Sequence, residues 1–176
     1  MTAGRVLLAV TVLGHDRPGI IAETAGVLAE LGANLEDSTM TLLRDHFAMV
    51  LVASAEVTAA EAEQALSSLS SDGSLIISVR EVPPEQPPEQ LGTTYLLSAH
   101  GADRPGIVAT VTGIVADAGG NITDLSTRLS GELYVLLAEV DLPGSVDPEQ
   151  LSRDLAAVGS DLGVDVSLRV LDPDVL

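Results

Sequence analysis

Gly14-His15-Asp16-Arg17-Pro18-Gly19-Ile20 and Gly101-Ala102-Asp103-Arg104-Pro105-Gly106-Ile107 are one seven-residue pattern written twice, at an offset of 87 residues. The match runs on without a gap. Ala22, Gly26, Ala29, Gly32, Asn34, Asp37 and Leu42 fall on Ala109, Gly113, Ala116, Gly119, Asn121, Asp124 and Leu129, and Phe47 falls on Tyr134. An Asp-Arg-Pro-Gly-Ile string and a Gly-x-Asn kept at one spacing imply two copies of a single unit of about 80 residues. Between the copies, Val82 to Gly92 carries four prolines. Neither a sheet nor a helix interior accommodates them, so the stretch reads as a semi-rigid polyproline spacer. The expected organisation is a first domain over residues 1–82, a linker over 83–92 and a second domain over 93–176.

Outward from the quoted turn, the pattern alternates between two periods. Val6 to Val12 is an aliphatic, β-branched run and predicts a buried strand, broken at Gly14. From Pro18 the spacing becomes helical, with Ile20, Thr24, Val27, Leu28 and Leu31 on one face, Pro18 in the first turn and Gly32 at the end. Asn34 to Leu43 and Phe47 to Ala53 predict two strands around a turn at Arg44-Asp45. Thr58 with Glu61 has the spacing of a capping box, and the helix that follows is expected to run to Asp72-Gly73, ahead of a strand from Leu75 to Val79. The second copy repeats this: strands at Tyr95 to Ala99, Asn121 to Leu129, Leu133 to Val140 and Val164 to Val170, a helix faced by Ile107, Val111, Ile114, Val115 and Ala118, and a helix capped by Asp147 with Pro148 at its first position. The fold class is therefore α+β. Each copy is a ferredoxin-like β-α-β-β-α-β unit, a four-stranded antiparallel sheet with both helices on one face. The uncovered face and the edges call for a partner, either the other copy or a second chain in a homodimer.

Composition bounds the function. The chain has 26 acidic residues against 8 basic ones, all arginine, for a formal charge of −18. Such a surface repels nucleic acid and anionic membranes. Cysteine is absent, which removes disulfides, thiol catalysis and cysteine-bound metals. His15, His46 and His100 have no metal-ligand spacing, a Walker loop would need lysine, and no nucleophile elbow occurs. No cofactor, metal or catalysis is expected. No leader or membrane span is apparent, so a soluble, cytoplasmic protein is expected.

An Asp-Arg-Pro-Gly-Ile turn after the first strand, a helix, and then Gly-x-Asn opening the second strand resembles the ACT domain, in both copies. The first copy, with Ala33-Asn34-Leu35-Glu36-Asp37-Ser38, is especially similar to the tandem-ACT glycine cleavage system repressor group. The resemblance implies small-molecule sensing, usually of amino acids, by domains that pair side by side and bind where the first loop of one meets its neighbour.

The physics of the turn suits such a ligand. Helix-start N–H groups lack intrahelical partners and sit at the positive end of the dipole, which favours a carboxylate. Gly14, Gly19, Gly101 and Gly106 permit close backbone approach, Asp16 and Asp103 accept from an ammonium group, and Asn34 and Asn121 offer donors and acceptors. With His15, Arg17, Pro18, Ile20, Ala102, Arg104, Pro105 and Ile107 these are the candidate ligand-binding residues. Each also has a structural role open to it: the aspartates as helix caps, the glycines in packing, the asparagines in satisfying backbone groups, the arginines in surface ion pairs. Two readings follow. One is a non-catalytic amino-acid sensor that signals to a partner protein through ligand-dependent domain or subunit packing. The other is a regulatory module that only docks onto a transcription factor or enzyme.

Overall fold

A computed structural model describes residues 4–84 and 92–171, leaving 85–91, the middle of the proline stretch, outside the described residues. The chain divides into two compact units, Met1–Gln86 and Pro87–Leu176.

In the first unit the aliphatic run becomes β1 (Val6–His15), whose alternate residues Leu8, Val10 and Val12 are fully buried. The strand is three residues longer than the sequence predicts and passes through Gly14. The neighbouring strand comes so close there that a Cβ on Gly14 would lie 2.1 Å from the Ser74 carbonyl oxygen. Here glycine permits the strand to continue instead of breaking it. Helix α1 (Ile20–Glu30) starts two residues later than Pro18, because Gly19 holds the N-cap position at φ 96°. Its core face is Ile20, Thr24 and Leu28, flanked by half-buried Val27 and Leu31. β2 (Asn34–Leu43) and β3 (His46–Ala55) form a hairpin around Arg44 and Asp45, both with positive φ, the backbone that a tight two-residue hairpin requires.

Helix α2 (Ala59–Leu66) opens with the expected box, in which the Glu61 carboxylate accepts from the Thr58 N–H and hydroxyl, each at 2.8 Å, and Thr58 Oγ1 accepts from the Glu61 N–H. It ends at Leu66, well before Asp72. Ser67, Ser68, Ser70 and Ser71 each turn their hydroxyls onto the carbonyl three residues back, and a 3-10 turn spans Ser67–Ser70. A serine run offers the backbone local partners that compete with the α-helix. β4 (Leu75–Val82) completes a sheet of order β2-β3-β1-β4, antiparallel throughout.

The second unit repeats the scheme with β5 (Thr93–Ala102), α3 (Ile107–Asp117), β6 (Asn121–Ser130), β7 (Leu133–Leu142), α4 (Pro148–Leu162) and β8 (Val164–Val170), in sheet order β6-β7-β5-β8. Asp147 caps α4 by accepting from the Glu149 and Gln150 N–H groups, and Pro148 sits at its first position. Edge strands β2 and β6 carry a register shift at the same repeat position, between Leu35 and Asp37 and between Ile122 and Asp124. Both cores are aliphatic. Leu8, Leu28, Leu51 and Leu66 with Phe47 fill the first, and Leu97, Val111, Leu136 and Leu155 the second. Burying a side chain of this size contributes about 1.5–3 kcal/mol, so each unit has its own source of stability.

Candidate ligand site at the strand-to-helix turn

The turn after β1 is fixed from both sides. His15 N–H donates to the Ser74 carbonyl at 3.2 Å, and Asp16 N–H donates to the Asp45 carbonyl at 3.2 Å. The His15 and His46 rings lie 5.5 Å apart across the strand pair, a pair that Ala102 and Leu133 replace in the second unit. Gly19 then turns the chain into α1 through a left-handed conformation that a side chain would strain. The N-cap bears no side-chain hydrogen bond, so Asp16 does not cap the helix and Pro18 lies ahead of it. The first intrahelical bond runs from Glu23 N–H to the Gly19 carbonyl. The N–H groups of Ile20, Ile21 and Ala22 therefore precede the ladder and remain open to a ligand. They border a cavity of about 270 Å³ lined by Asp16, Arg17, Gly19, Ile20, Ile21 and Ala22, and closed by Met40 of β2 and Phe47 of β3.

The surface ion pair open to Arg17 is formed, and its partner is Glu23, which the candidate set omits. Arg17 grips Glu23 with a two-pronged ion pair, Nη1 to Oε1 at 2.8 Å and Nη2 to Oε2 at 2.6 Å. The hydrogen bond raises the pKa of the guanidinium and holds the Glu23 carboxyl below its ordinary range. A carboxylate of the protein itself thus stands at the start of α1, where dipole and N–H groups favour negative charge.

The second turn has the same backbone and different chemistry. Gly106 caps α3 at φ 94° without a side-chain bond, and Thr110 N–H donates to the Gly106 carbonyl. Asp103 is no cap either. Ile107 N–H begins the open set, as Ile20 does. Thr110 stands where the first unit has Glu23, so Arg104 has no such carboxylate. It lies over the turn between α4 and β8, where a methyl group at Gly163 would meet its guanidinium at 3.2 Å. Among the described residues Arg104 forms no ion pair. Gly101, like Gly14, is pressed against the neighbouring strand, with room for a Cβ only 2.6 Å from the Gly163 carbonyl oxygen, and Ala102 and Pro105 complete the loop.

The structure brings Asp16, Arg17, Gly19 and Ile20 around one cavity and sets Asn34 apart. Asn34 pairs with Ser54, and Leu43, at the other end of β2, pairs with His46 beside the turn. The strand between them is ten residues, about 30 Å. Asn121, paired with Asp141, stands at the matching far end of β6. Met40 and Phe47, which the candidate set omits, are brought in by the hairpin. Glu23 is legible only as one of several positions where the repeats diverge, glutamate in one and threonine in the other.

Residues 6–80 and again 93–169 match the ACT domain family. The chain belongs to the ACT domain family. Along nearly its whole length it is similar to the glycine cleavage system transcriptional repressor of Escherichia coli, 24% identical over 175 residues, covering 94% of this chain and 90% of that one. A shorter, closer likeness is to a UPF0237 protein of Methanopyrus kandleri, 60% identical over 43 residues, or 24% of this chain. That match spans about half (48%) of the relative's length. Among solved structures, an unknown protein from Galdieria sulphuraria superposes with TM-score 0.78 at 29% identity over 96% of this ACT chain and 99% of that one. A candidate glycine cleavage system transcriptional repressor superposes with TM-score 0.69 at 20% identity, covering 96% and 98%, and so shares the fold. ACT domains are regulatory domains that often bind amino acids, and this chain carries two of them. Among the described residues no helix is long and apolar enough to cross a membrane.

Proposed function

We propose that this tandem ACT protein is a non-catalytic sensor of an amino acid, and that ligand binding alters the packing of its domains or of a homodimer and thereby its affinity for a protein partner. The observation that carries the reading is the cavity at the first turn, which Asp16 lines together with Ile20, Ile21 and Ala22, the residues whose N–H groups precede the helical ladder. The helix start suits a carboxylate and the aspartate suits an ammonium group, the two charges every free amino acid carries. At about 270 Å³ the cavity falls just below the roughly 300–1,000 Å³ of drug-sized sites, as a small metabolite requires. The second turn supplies the same backbone geometry with an Arg104 that forms no ion pair among the described residues.

Calorimetric titration with the standard amino acids tests the proposal, with melting temperature as a second readout. Heat and a raised melting temperature with at least one amino acid are expected, weakened by Asp16→Ala and Asp103→Ala. Silence across the whole panel would reject the ligand, and unchanged affinity in both variants would remove the aspartates from the site. One observation favours a docking module without a small ligand: Glu23 already occupies the first helix start. That reading expects partner binding that no amino acid changes.

A further inference from the structure

A second concavity lies on the helical layer of the second unit, away from the strand-to-helix turn. It is a groove of about 680 Å³ running beside α4 to the end of α3. Its apolar floor is Ile114, Ala118, Val146, Leu151, Ala157 and Val158. Along α4 the lining falls at 147, 150, 151, 154, 157 and 158, a stripe at helical spacing that extends about 16 Å, or three turns. That is the footprint of another helix laid into the groove.

The rim is acidic. Asp117 and Asp154 both border the groove. Asp117 ends α3 with no basic residue in the last turn, so its charge adds to the negative end of that helix dipole. Among the described residues no arginine lines the groove. Arg153, the cation of α4, faces Glu149 at 4.0 Å and donates to Gln150 at 2.9 Å. A helix-shaped apolar floor with carboxylates on its rim is complementary to an amphipathic helix flanked by lysine and arginine.

The two units differ in the helix that walls this groove. The helix caps, Thr58 and Asp147, and the strand starts that pair with Gly14 and Gly101, Leu75 and Val164, place the two helices at an offset of 89, so Asp154, Ala157 and Val158 correspond to Ala65, Ser68 and Leu69. α2 is eight residues long against the fifteen of α4 and ends at Leu66, so Ser68 and Leu69 lie in the 3-10 turn while Ala157 and Val158 continue a regular helix.

We propose that the α3–α4 groove is the docking site for a basic amphipathic helix of a partner protein. This deepens only the partner half of the proposed function, and its test reads peptide binding directly, so its failure leaves the ligand reading of the turns untouched. The probe is a fluorescent fourteen-residue peptide with leucine at helical spacing and lysine elsewhere; its control is the same composition with the spacing scrambled. Anisotropy is measured on the full chain at an ionic strength of about 0.15 M. The patterned peptide is expected to bind at least about tenfold more tightly than the scrambled one. Ala157→Arg, and Asp117→Asn with Asp154→Asn, are each expected to weaken it by about tenfold or more. Glu30→Gln with Glu63→Gln removes the same charge from the first unit and should leave binding within about twofold. Equal binding of both peptides, equal loss in both double variants, or no binding at all would overturn the proposal. So would spermine binding that is sensitive to the groove variants while the peptide is not, which would assign the groove to small amines.

Discussion

Replacing Gly14 with alanine would place a methyl carbon 2.1 Å from the Ser74 carbonyl oxygen, 2.9 Å from Leu75 Cδ2 and 3.0 Å from Leu75 Cα. Carbon–oxygen contacts settle at about 3.3 Å or more, so β1 and β4 would have to part by roughly 1 Å at this point. Two of the three obstructing atoms are backbone. Ser74 is also anchored, accepting from His15 N–H at 3.2 Å and donating its own N–H to Asp72 at 2.9 Å. Overpacking costs about 1–3 kcal/mol, and a lost ladder bond adds about 1 kcal/mol. The expected loss is therefore about 2–4 kcal/mol, of a total that for a small domain is about 5–15 kcal/mol. At roughly 4–8 °C per kcal/mol for a domain of this size, the first unit should melt at least about 10 °C lower. Gly26 supplies the contrast: it lies inside α1 with nothing within 4 Å of an added Cβ. Gly26→Ala should gain about 0.5–1 kcal/mol and raise the melting temperature by a few degrees. Circular dichroism melts and urea titrations of both variants read the two effects. Melting of Gly14→Ala within about 2 °C of the parent, or a lower melting temperature for Gly26→Ala, would refute the reasoning.

Gly19→Ala should cost about 1–3 kcal/mol, because its φ of 96° strains any side chain; a thermal melt reads the loss. Thr58→Ala removes half of the capping box and should cost about 1 kcal/mol. The Thr58 N–H and hydroxyl hold the Glu61 carboxyl below its ordinary value. Its contribution is thus complete above about pH 4.3 and fades as the pH falls through the lowered folded value; urea titrations across this range should show a shallower acid loss in the variant. Glu23→Gln frees Arg17 and the start of α1, so calorimetry should find tighter amino-acid binding in the first unit, and weaker binding would mean that Glu23 holds the ligand instead.

Repetition made the fold legible. β2 and β8 begin and end where the residue pattern says, because turn residues bracket them, and the Thr58 and Asp147 caps are set by neighbours in sequence. The departures arose in two ways, one from a distant strand and one from local side-chain competition with the helix. β1 runs on through Gly14 because β4 presses on it from about 60 residues away. α2 stops early because four serine hydroxyls act together, which the apolar face of Ala62, Ala65, Leu66 and Leu69 does not reveal. The site divides the same way. Asp16, Arg17 and Gly19 are neighbours in sequence and meet in the cavity. Asn34 follows the turn after one helix, yet the direction of β2 carries it to the far end of the sheet. Met40 and Phe47 enter only through hairpin pairing.

The edge strands bear on how the chain behaves in bulk. Every residue of β2 is exposed, and nearly all of β6, so each presents unpaired backbone to other molecules. The register shifts twist only the first few residues of each edge, leaving Ser38–Leu43 and Leu125–Ser130 straight enough to pair. At neutral pH a charge of −18 opposes indiscriminate contact between such edges. Near pH 4.1, where that charge vanishes, the same edges become adhesive. Light scattering should rise there before the circular dichroism of the sheets changes: the acidity that first set limits on what the protein binds also keeps its molecules from binding one another.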